Sequence, residues 1–133
     1  MVTAALLQSG VLPDDAAVQK AFRFLSTFIR ADGGIYASSG NLGNYETSIS
    51  LLAFREANED GRYDQLIGQA RDYLKQIQWG DENAVKVDDI KYGGAGYGRS
   101  MDRPDLSNTA FLLDALRAAG VGKDDPAMQK ALV

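Results

Sequence analysis

The chain has 133 residues, 45% hydrophobic and 24% charged, with a net charge of -4, which is typical of one globular domain. Its basic side chains are scattered, and no apolar run approaches the roughly 20 residues that cross a bilayer, so we expect neither a nucleic-acid partner nor a membrane span. Cysteine and histidine are both absent, which excludes disulfides, thiolate nucleophiles, imidazole bases and the common zinc sites. We therefore expect no metal and no cofactor.

Apolar residues spaced three and four apart predict a succession of helices with glycine-rich loops between them. Residues 2–9 are interpreted as the end of a helix that Gly10 closes. Complete amphipathic helices are predicted over residues 14–30, 45–57, 63–79 and 106–119, and residues 124–133 begin another. No segment alternates with the period of two that marks a strand, so the predicted fold class is all-α.

The sequence repeats itself. GVLPDDAAVQKA (residues 10–21) recurs as GVGKDDPAMQKA (residues 120–131), with eight of the twelve positions identical. Weaker copies pair ETSISLLAFREA with NTAFLLDALRAA, and AFRFL with ARDYL. Self-similarity of this kind indicates a repeat architecture whose unit is a helix pair.

We expect residues 1–133 to form a single, incomplete repeat domain, with approximate repeats at 1–43, 44–104 and 105–133. The helices over 45–57 and 106–119 are apolar on most faces and should form an inner layer, with the more charged helices outside. Because a half-repeat at each end leaves an apolar stripe uncovered, the chain is interpreted as a piece of a larger protein. For the same reason we expect this piece to form a homodimer through its uncapped terminal repeats.

Two segments carry a resemblance to a known family. YLKQIQ (residues 73–78) and FLSTFIRADGGIY (residues 24–36) follow the spacing of a glutamine-tryptophan motif, with Ile29 and Tyr36 at the glutamine and tryptophan positions of the second segment. The chain thereby resembles the α/α toroids of squalene and oxidosqualene cyclases and of protein prenyltransferase β subunits. The resemblance implies an α/α toroid segment with inner and outer layers, in which this motif is structural.

The stretch DLSNTA (residues 105–110) corresponds to the D-x-D-D-T-A motif of the class II cyclases. Ser107 stands where that family has its proton-donating aspartate, and Asn108 lies beside it. A serine hydroxyl cannot protonate an alkene, so the resemblance implies that the family's catalytic acid is missing here. The alternative interpretation is that Asp105 is the N-cap of a helix, with Ser107 and Asn108 in its polar first turn.

Other acidic segments do not complete a catalytic motif. KVDDI has Lys86 in place of the first acid of D-x-D-D, and it is expected in a loop. Neither DDIKY nor DDAAV completes the D-D-x-x-D magnesium-diphosphate motif, and a prenyltransferase zinc site would need the cysteine and histidine that the chain lacks. Whether the chain is an enzyme therefore stays open.

In a toroid, the loops and the amino-terminal ends of the inner helices frame the central cavity. The candidate cavity residues are Tyr36, Tyr45, Glu46, Tyr97, Asp105, Ser107 and Asn108. The resemblance implies an isoprenoid or another hydrophobic ligand. A noncatalytic scaffold for a peptide, lipid or protein partner is the alternative, and glycan processing by carboxylates such as Glu46 and Asp105 is a weaker one. No targeting signal is present in this segment, so the sequence assigns no compartment.

Overall fold

The structure is a computed structural model that describes residues 1–39, 41–98, 103 and 105–132. Across these ranges the chain is helical, and its one β-type pairing is an isolated bridge between Ile29 and Ile35. None of the described helices has the length and apolar character that a membrane crossing needs. The elements are α1 (Val2–Gln8), α2 (Ala16–Ser26), α3 (Gly43–Glu56), α4 (Asp64–Ile77), a short 3₁₀ helix (Asp81–Asn83), α5 (Leu106–Ala118) and α6 (Pro126–Lys130).

The predicted all-α class is confirmed, but α2 ends four residues before the predicted boundary at 30. At that point the chain turns back on itself in a tight hairpin. The N–H of Arg30 donates to the carbonyl oxygen of Gly34 at 2.9 Å, and the N–H of Tyr36 donates to that of Phe28 at 3.0 Å. These hydrogen bonds replace the next helical turn, and apolar periodicity alone could not reveal them.

α3 lies at the centre of the molecule and packs against α1, α4 and α5. Its most extensive contact is with α5, so the side-by-side packing expected for the two apolar helices is confirmed. Leu51 and Phe54 of α3 and Leu112 and Leu116 of α5 are all fully buried. The core of the domain is therefore built around this helix pair.

The two glycine-rich loops are ADGGIY (residues 31–36) and YGGAGY (residues 92–97). They dock onto α3 and α5, respectively, in the same way. The hydroxyl of Thr47 accepts the N–H of Ile35 at 3.0 Å and donates to its carbonyl at 3.3 Å. The hydroxyl of Thr109 makes the same two bonds to Ala95, at 3.0 and 3.2 Å. The repetition seen in the sequence is therefore also a repetition of local structure.

The two hairpins differ in length. Arg30 pairs with Gly34 four residues later, whereas in the second copy Trp79 donates to the carbonyl of Gly94, fifteen residues later, so the second hairpin is eleven residues longer. The additional residues contain the short 3₁₀ helix and the predicted KVDDI loop. Within that loop, Asp89 accepts the backbone N–H of Lys91 at 2.9 Å, which fits the ordinary role of an aspartate in a turn.

Candidate functional site

A glycine in each loop brings its backbone against a helix of the following repeat. Gly33 and Gly93 both have positive φ angles, 89° and 75°. A Cβ on Gly33 would lie 2.6 Å from the carbonyl oxygen of Gln69 in α4, and one on Gly93 would overlap the carbonyl of Lys130 in α6. Only glycine permits this approach, so the loops act as packing elements between successive repeats.

The first loop forms one side of an apolar groove of about 190 Å³. This first-repeat groove is lined by Phe24, Leu25, Phe28, Ile35, Tyr36, Ala37, Glu46, Ile49 and Ser50. The rings of Phe24 and Phe28 meet edge to face, with centroids 5.0 Å apart. Among the described residues that line it, Glu46 is the one acid, so the groove is suited to a mainly apolar molecule.

Two predicted cavity residues, Tyr36 and Glu46, lie in the first-repeat groove. The hydroxyl of Tyr36 donates to Asp32 at 2.6 Å, and its ring stacks on Tyr73 with centroids 5.5 Å apart. Glu46 Oε2 accepts the N–H of Ala37 at 2.8 Å. Both side chains therefore hold the loop in place in addition to lining the groove.

The other two candidate tyrosines lie elsewhere. Tyr45 packs edge to face on Phe111 of α5, with ring centroids 5.4 Å apart, and thereby joins α3 to α5. Tyr97 is 39% exposed, and its carbonyl oxygen accepts the N–H of Asn44 at 2.9 Å. The predicted aromatic residues are thus divided between the groove, a helix interface and the surface.

Asp105 is the N-cap of α5, as the alternative interpretation of DLSNTA predicts. Its Oδ1 accepts the backbone N–H of Asn108 at 2.8 Å and the side-chain amide of the same residue at 3.1 Å. The backbone hydrogen bond from Asn108 is the largest of the effects that hold the pKa of Asp105 below its ordinary value. The carboxyl group is therefore ionised at neutral pH and accepts hydrogen bonds, where an alkene-protonating acid would have to be neutral.

We expect Asp105→Ala to lower the midpoint of thermal unfolding by a few degrees, because α5 loses its N-terminal cap. Asp105→Asn should retain most of the stability, since asparagine is also a good cap, and Ser107→Ala serves as a control on an exposed neighbour. Circular dichroism at neutral pH measures all three. A midpoint for Asp105→Ala equal to that of the unaltered chain would contradict the capping role.

The same contact has a pH signature. Because the folded state lowers the pKa of Asp105, its contribution to stability is complete above the carboxyl's ordinary pKa of about 4 and disappears as pH falls through the lower, folded value. Part of the acid-induced loss of stability should therefore vanish in Asp105→Asn.

Ser107 and Asn108 have different environments. Ser107 is exposed in the first turn of α5, so its hydroxyl is open to solvent. Asn108 is buried, and its backbone carbonyl accepts the side-chain amide of Asn44 at 3.1 Å. Asn108 therefore belongs to the junction between α3 and α5.

A second groove, of about 320 Å³, lies beside the longer hairpin. This second-repeat groove is lined by Ile90, Tyr92, Gly93, Gly94, Asp105, Leu106, Thr109 and Ala131. Asp105 lines this groove, whereas Glu46 lines the first-repeat groove, so the two carboxylates considered for glycan hydrolysis do not face one cavity. In the part of the chain that the structure describes, no cluster of three metal-ligating side chains is found.

Sequence reasoning missed the contribution of Phe24 to the first-repeat groove. The apolar stripe predicted for its helix consists of Ala17, Val18, Ala21, Phe22, Leu25, Phe28 and Ile29. Phe24 lies outside this stripe, and it is 63% exposed. A large aromatic residue off the stripe was the available signal.

Gln78, the last residue of the YLKQIQ segment, is fully buried. Its amide donates to the carbonyls of Gly93 at 2.9 Å and Ala127 at 2.8 Å.

Comparison of the chain with protein-family models, with curated proteins and with solved structures gave no match.

Proposed function

We propose that the chain is a repeat segment of an α/α toroid like those of the cyclases and prenyltransferases that it resembles. In this proposal the segment is a noncatalytic scaffold that binds an apolar, isoprenoid-type ligand. The observation that carries this proposal is the first-repeat groove, whose lining is largely aliphatic and aromatic. The ligand would lie between α2 and the amino-terminal half of α3.

The arrangement of the helices supports the toroid architecture. α1, α3 and α5 form one packed row, consistent with an inner layer. Gln78 follows α4 and reaches the first turn of α6, so it links one outer helix to the next, as the glutamine-tryptophan motif does in the family that the chain resembles.

A noncatalytic role is supported by the chemistry at the start of α5. Asp105 is engaged as an ionised helix cap, and Ser107 supplies a hydroxyl where the cyclases have an acid. Proton transfer to an alkene needs a carboxylic acid in its neutral form. Neither side chain meets that requirement, which favours binding without cyclisation.

The size and lining of the groove favour an isoprenoid chain as the ligand. A dry cavity of about 150 Å³ is enough to bind a benzene-sized molecule, so a groove of about 190 Å³ has room for a short branched hydrocarbon. Phe24 and Phe28 offer ring faces and edges to such a chain. Glu46 could accept a hydrogen bond from a terminal alcohol.

Geraniol, a short isoprenoid alcohol, is a suitable probe for this proposal. We expect titration calorimetry to detect saturable binding, and Phe28→Ser to weaken it by about tenfold because the groove loses one aromatic wall. Val87→Ser, at an exposed apolar residue outside the groove, is the matched control and should bind like the unaltered chain.

Two results would contradict the proposal. One is the absence of saturable geraniol binding by a chain whose circular dichroism is helical. The other is equal binding by the Phe28 and Val87 variants, which would place the ligand elsewhere. The titration should be run at a protein concentration at which light scattering finds a monomer, so that self-association does not compete with the ligand.

The scaffold proposal includes self-association into a homodimer. Exposed apolar side chains occur at both terminal helices: Val2, the first residue of α1, is 74% exposed, and Leu132, which follows α6, is 79% exposed. Repeat proteins bury such faces by stacking further repeats against them.

A further inference from the structure

α6 is held in place by polar side chains that extend from the end of α4. Lys75 Nζ lies 2.6 Å from Asp125 Oδ2 in a partly buried ion pair. The amide of Gln78 donates to the carbonyl of Ala127 at 2.8 Å. These two contacts fix the first turn of α6.

The last turn of α6 is held by the longer hairpin. Lys130 Nζ lies 2.6 Å from Glu82 Oε2, and the backbone of Lys130 packs directly against Gly93. Lys75, Gln78, Glu82 and Gly93 together form the site that receives α6, which we call the α6 socket.

α2 begins with the same residues that α6 uses to contact the socket. At an offset of 110, Asp125, Ala127 and Lys130 correspond to the identical residues Asp15, Ala17 and Lys20. The two helix starts also share their caps. Asp15 Oδ1 accepts the N–H of Ala17 at 2.8 Å, and Asp125 Oδ1 accepts that of Ala127 at 3.0 Å.

In α2, however, Asp15, Ala17 and Lys20 are all exposed. The chain therefore presents on its surface a second copy of the side chains that fit the α6 socket. We propose that the α6 socket binds α2 of a second copy of this chain, which displaces α6. This inference rests on the repeat architecture of the proposed function and does not require its ligand.

Phe24 extends the match beyond the length of α6. It aligns with Tyr73 of α4, which is almost fully buried and stacks on Tyr36 beside the first loop. The ring of Tyr73 also approaches Gly34 and Gly43.

The equivalent place in the second repeat is not filled by any residue that the structure describes. The matching loop contacts pair Ile35 with Ala95 and Thr47 with Thr109. In the same alignment Gly94 corresponds to Gly34 and Asp105 to Gly43, and both Gly94 and Asp105 line the second-repeat groove. Ile90 and Leu106 in the same lining are each 91% exposed. When α2 of a second copy enters the socket, its Phe24 enters this groove, in the place that Tyr73 holds in the first repeat.

The exchange also involves the helices that precede the shared segment, α1 before residues 10–21 and α5 before residues 120–131, because both end in the same turn. Val11 N–H donates to Leu6 O, and Val121 N–H donates to Leu116 O, each at 3.0 Å. When α2 of the second copy docks in the register of α6, α1 of that copy coincides with the end of α5 of the first copy. α5 of the first copy therefore takes the place of α1 on α3 of the second copy. α1 and α6 each bury only one described residue, Leu7 and Ala127, so displacing them costs little core.

The resulting contact is head to tail. It becomes a two-fold dimer when both chains exchange with each other, and an open array when they do not. Each junction gains the burial of Phe24, Ile90 and Leu106, which one chain alone leaves exposed.

A charge exchange between chains tests the docking directly. Lys75→Glu and Asp15→Lys should each weaken self-association, because each places like charges together in the junction. An equimolar mixture of the two variants should restore self-association as a mixed complex, about tenfold tighter than the complex of either variant alone. In the mixed complex the carboxylate introduced at position 75 of one chain faces the ammonium introduced at position 15 of the other. Native mass spectrometry distinguishes the mixed complex by mass. Within one chain Lys75 is paired with Asp125, so this recovery requires contact between chains.

A second pair of variants changes the competition with α6. Asp125→Ala removes the cap and the ion pair of α6 but leaves the socket intact, so we expect about tenfold tighter self-association in sedimentation equilibrium. Asp124→Ala, at the exposed neighbour, is the matched control. Hydrogen exchange should show α6 released in the oligomer.

Phe24→Ser should reduce self-association by about tenfold, whereas Leu12→Ser should not. Leu12 is 72% exposed, and its counterpart in the docked position is Gly122, where a side chain would point into open space.

The proposal is overturned if the mixture of charge variants forms no mixed complex, or if Asp125→Ala stays monomeric while its circular dichroism is helical. Loss of geraniol binding with these results intact would overturn only the ligand proposal.

Discussion

Gly33→Ala is expected to destabilise the domain by roughly 3 kcal/mol or more. The φ of Gly33 is 89°, which strains any residue with a side chain, and the added Cβ would lie 2.6 Å from the carbonyl oxygen of Gln69. That oxygen belongs to the backbone of α4, so it cannot move aside as a flexible side chain would. Urea denaturation followed by circular dichroism measures the loss as a lower midpoint.

Gly68→Ala is the matched control for this prediction. Gly68 lies in α4, one residue before Gln69, and a Cβ there meets no atom of the described residues within 4 Å. The substitution should stabilise the protein by about 0.5–1 kcal/mol, the usual gain from replacing a helical glycine that has open space around it. Equal effects of the two substitutions would show that the contact between the loop and α4 does not determine the outcome.

Phe54→Ala is expected to cost about 3–5 kcal/mol, the range for truncating a fully buried phenylalanine. The ring of Phe54 is completely buried and stacks on Phe22, with centroids 4.8 Å apart. It also meets Tyr63 edge to face at 5.0 Å. Its removal leaves a cavity where α2, α3 and the start of α4 come together.

Phe24→Ala removes the same atoms from a ring that is 63% exposed, so it should cost less than about 1 kcal/mol. Both variants can be compared in one series of urea melts at a concentration where the chain is monomeric. Similar losses for Phe24 and Phe54 would mean that the aromatic contacts around α3 are not the centre of the core.

The helices and the α3–α5 pair could be predicted from the sequence because they depend on local apolar spacing. The cap at Asp105 was equally local, since a helix start can be recognised from the residues on either side of it. The end of α2 could not be predicted in this way. It depends on the hydrogen bond from Arg30 to Gly34, which competes with one further helical turn.

The candidate site was only partly predictable. Tyr36 and Glu46 do line a groove, but the other wall is formed by Phe24 and Phe28. Their proximity to Glu46 depends on how the hairpin folds α2 against α3, and no sequence spacing encodes that distance. Tyr45, by contrast, belongs to the interface with α5 because Phe111 lies opposite it.

The unequal hairpins have a consequence for how this domain can change. The turn from Arg30 to Gly34 and the one from Trp79 to Gly94 begin and end with the same backbone hydrogen bonds, although the second is eleven residues longer. Loop length at this position is therefore separable from the spacing of the helices. A peptide inserted after Ala31 would occupy the place where the second repeat already carries its extra residues, and a protein engineer could add a binding segment there without altering the register of α2 and α3.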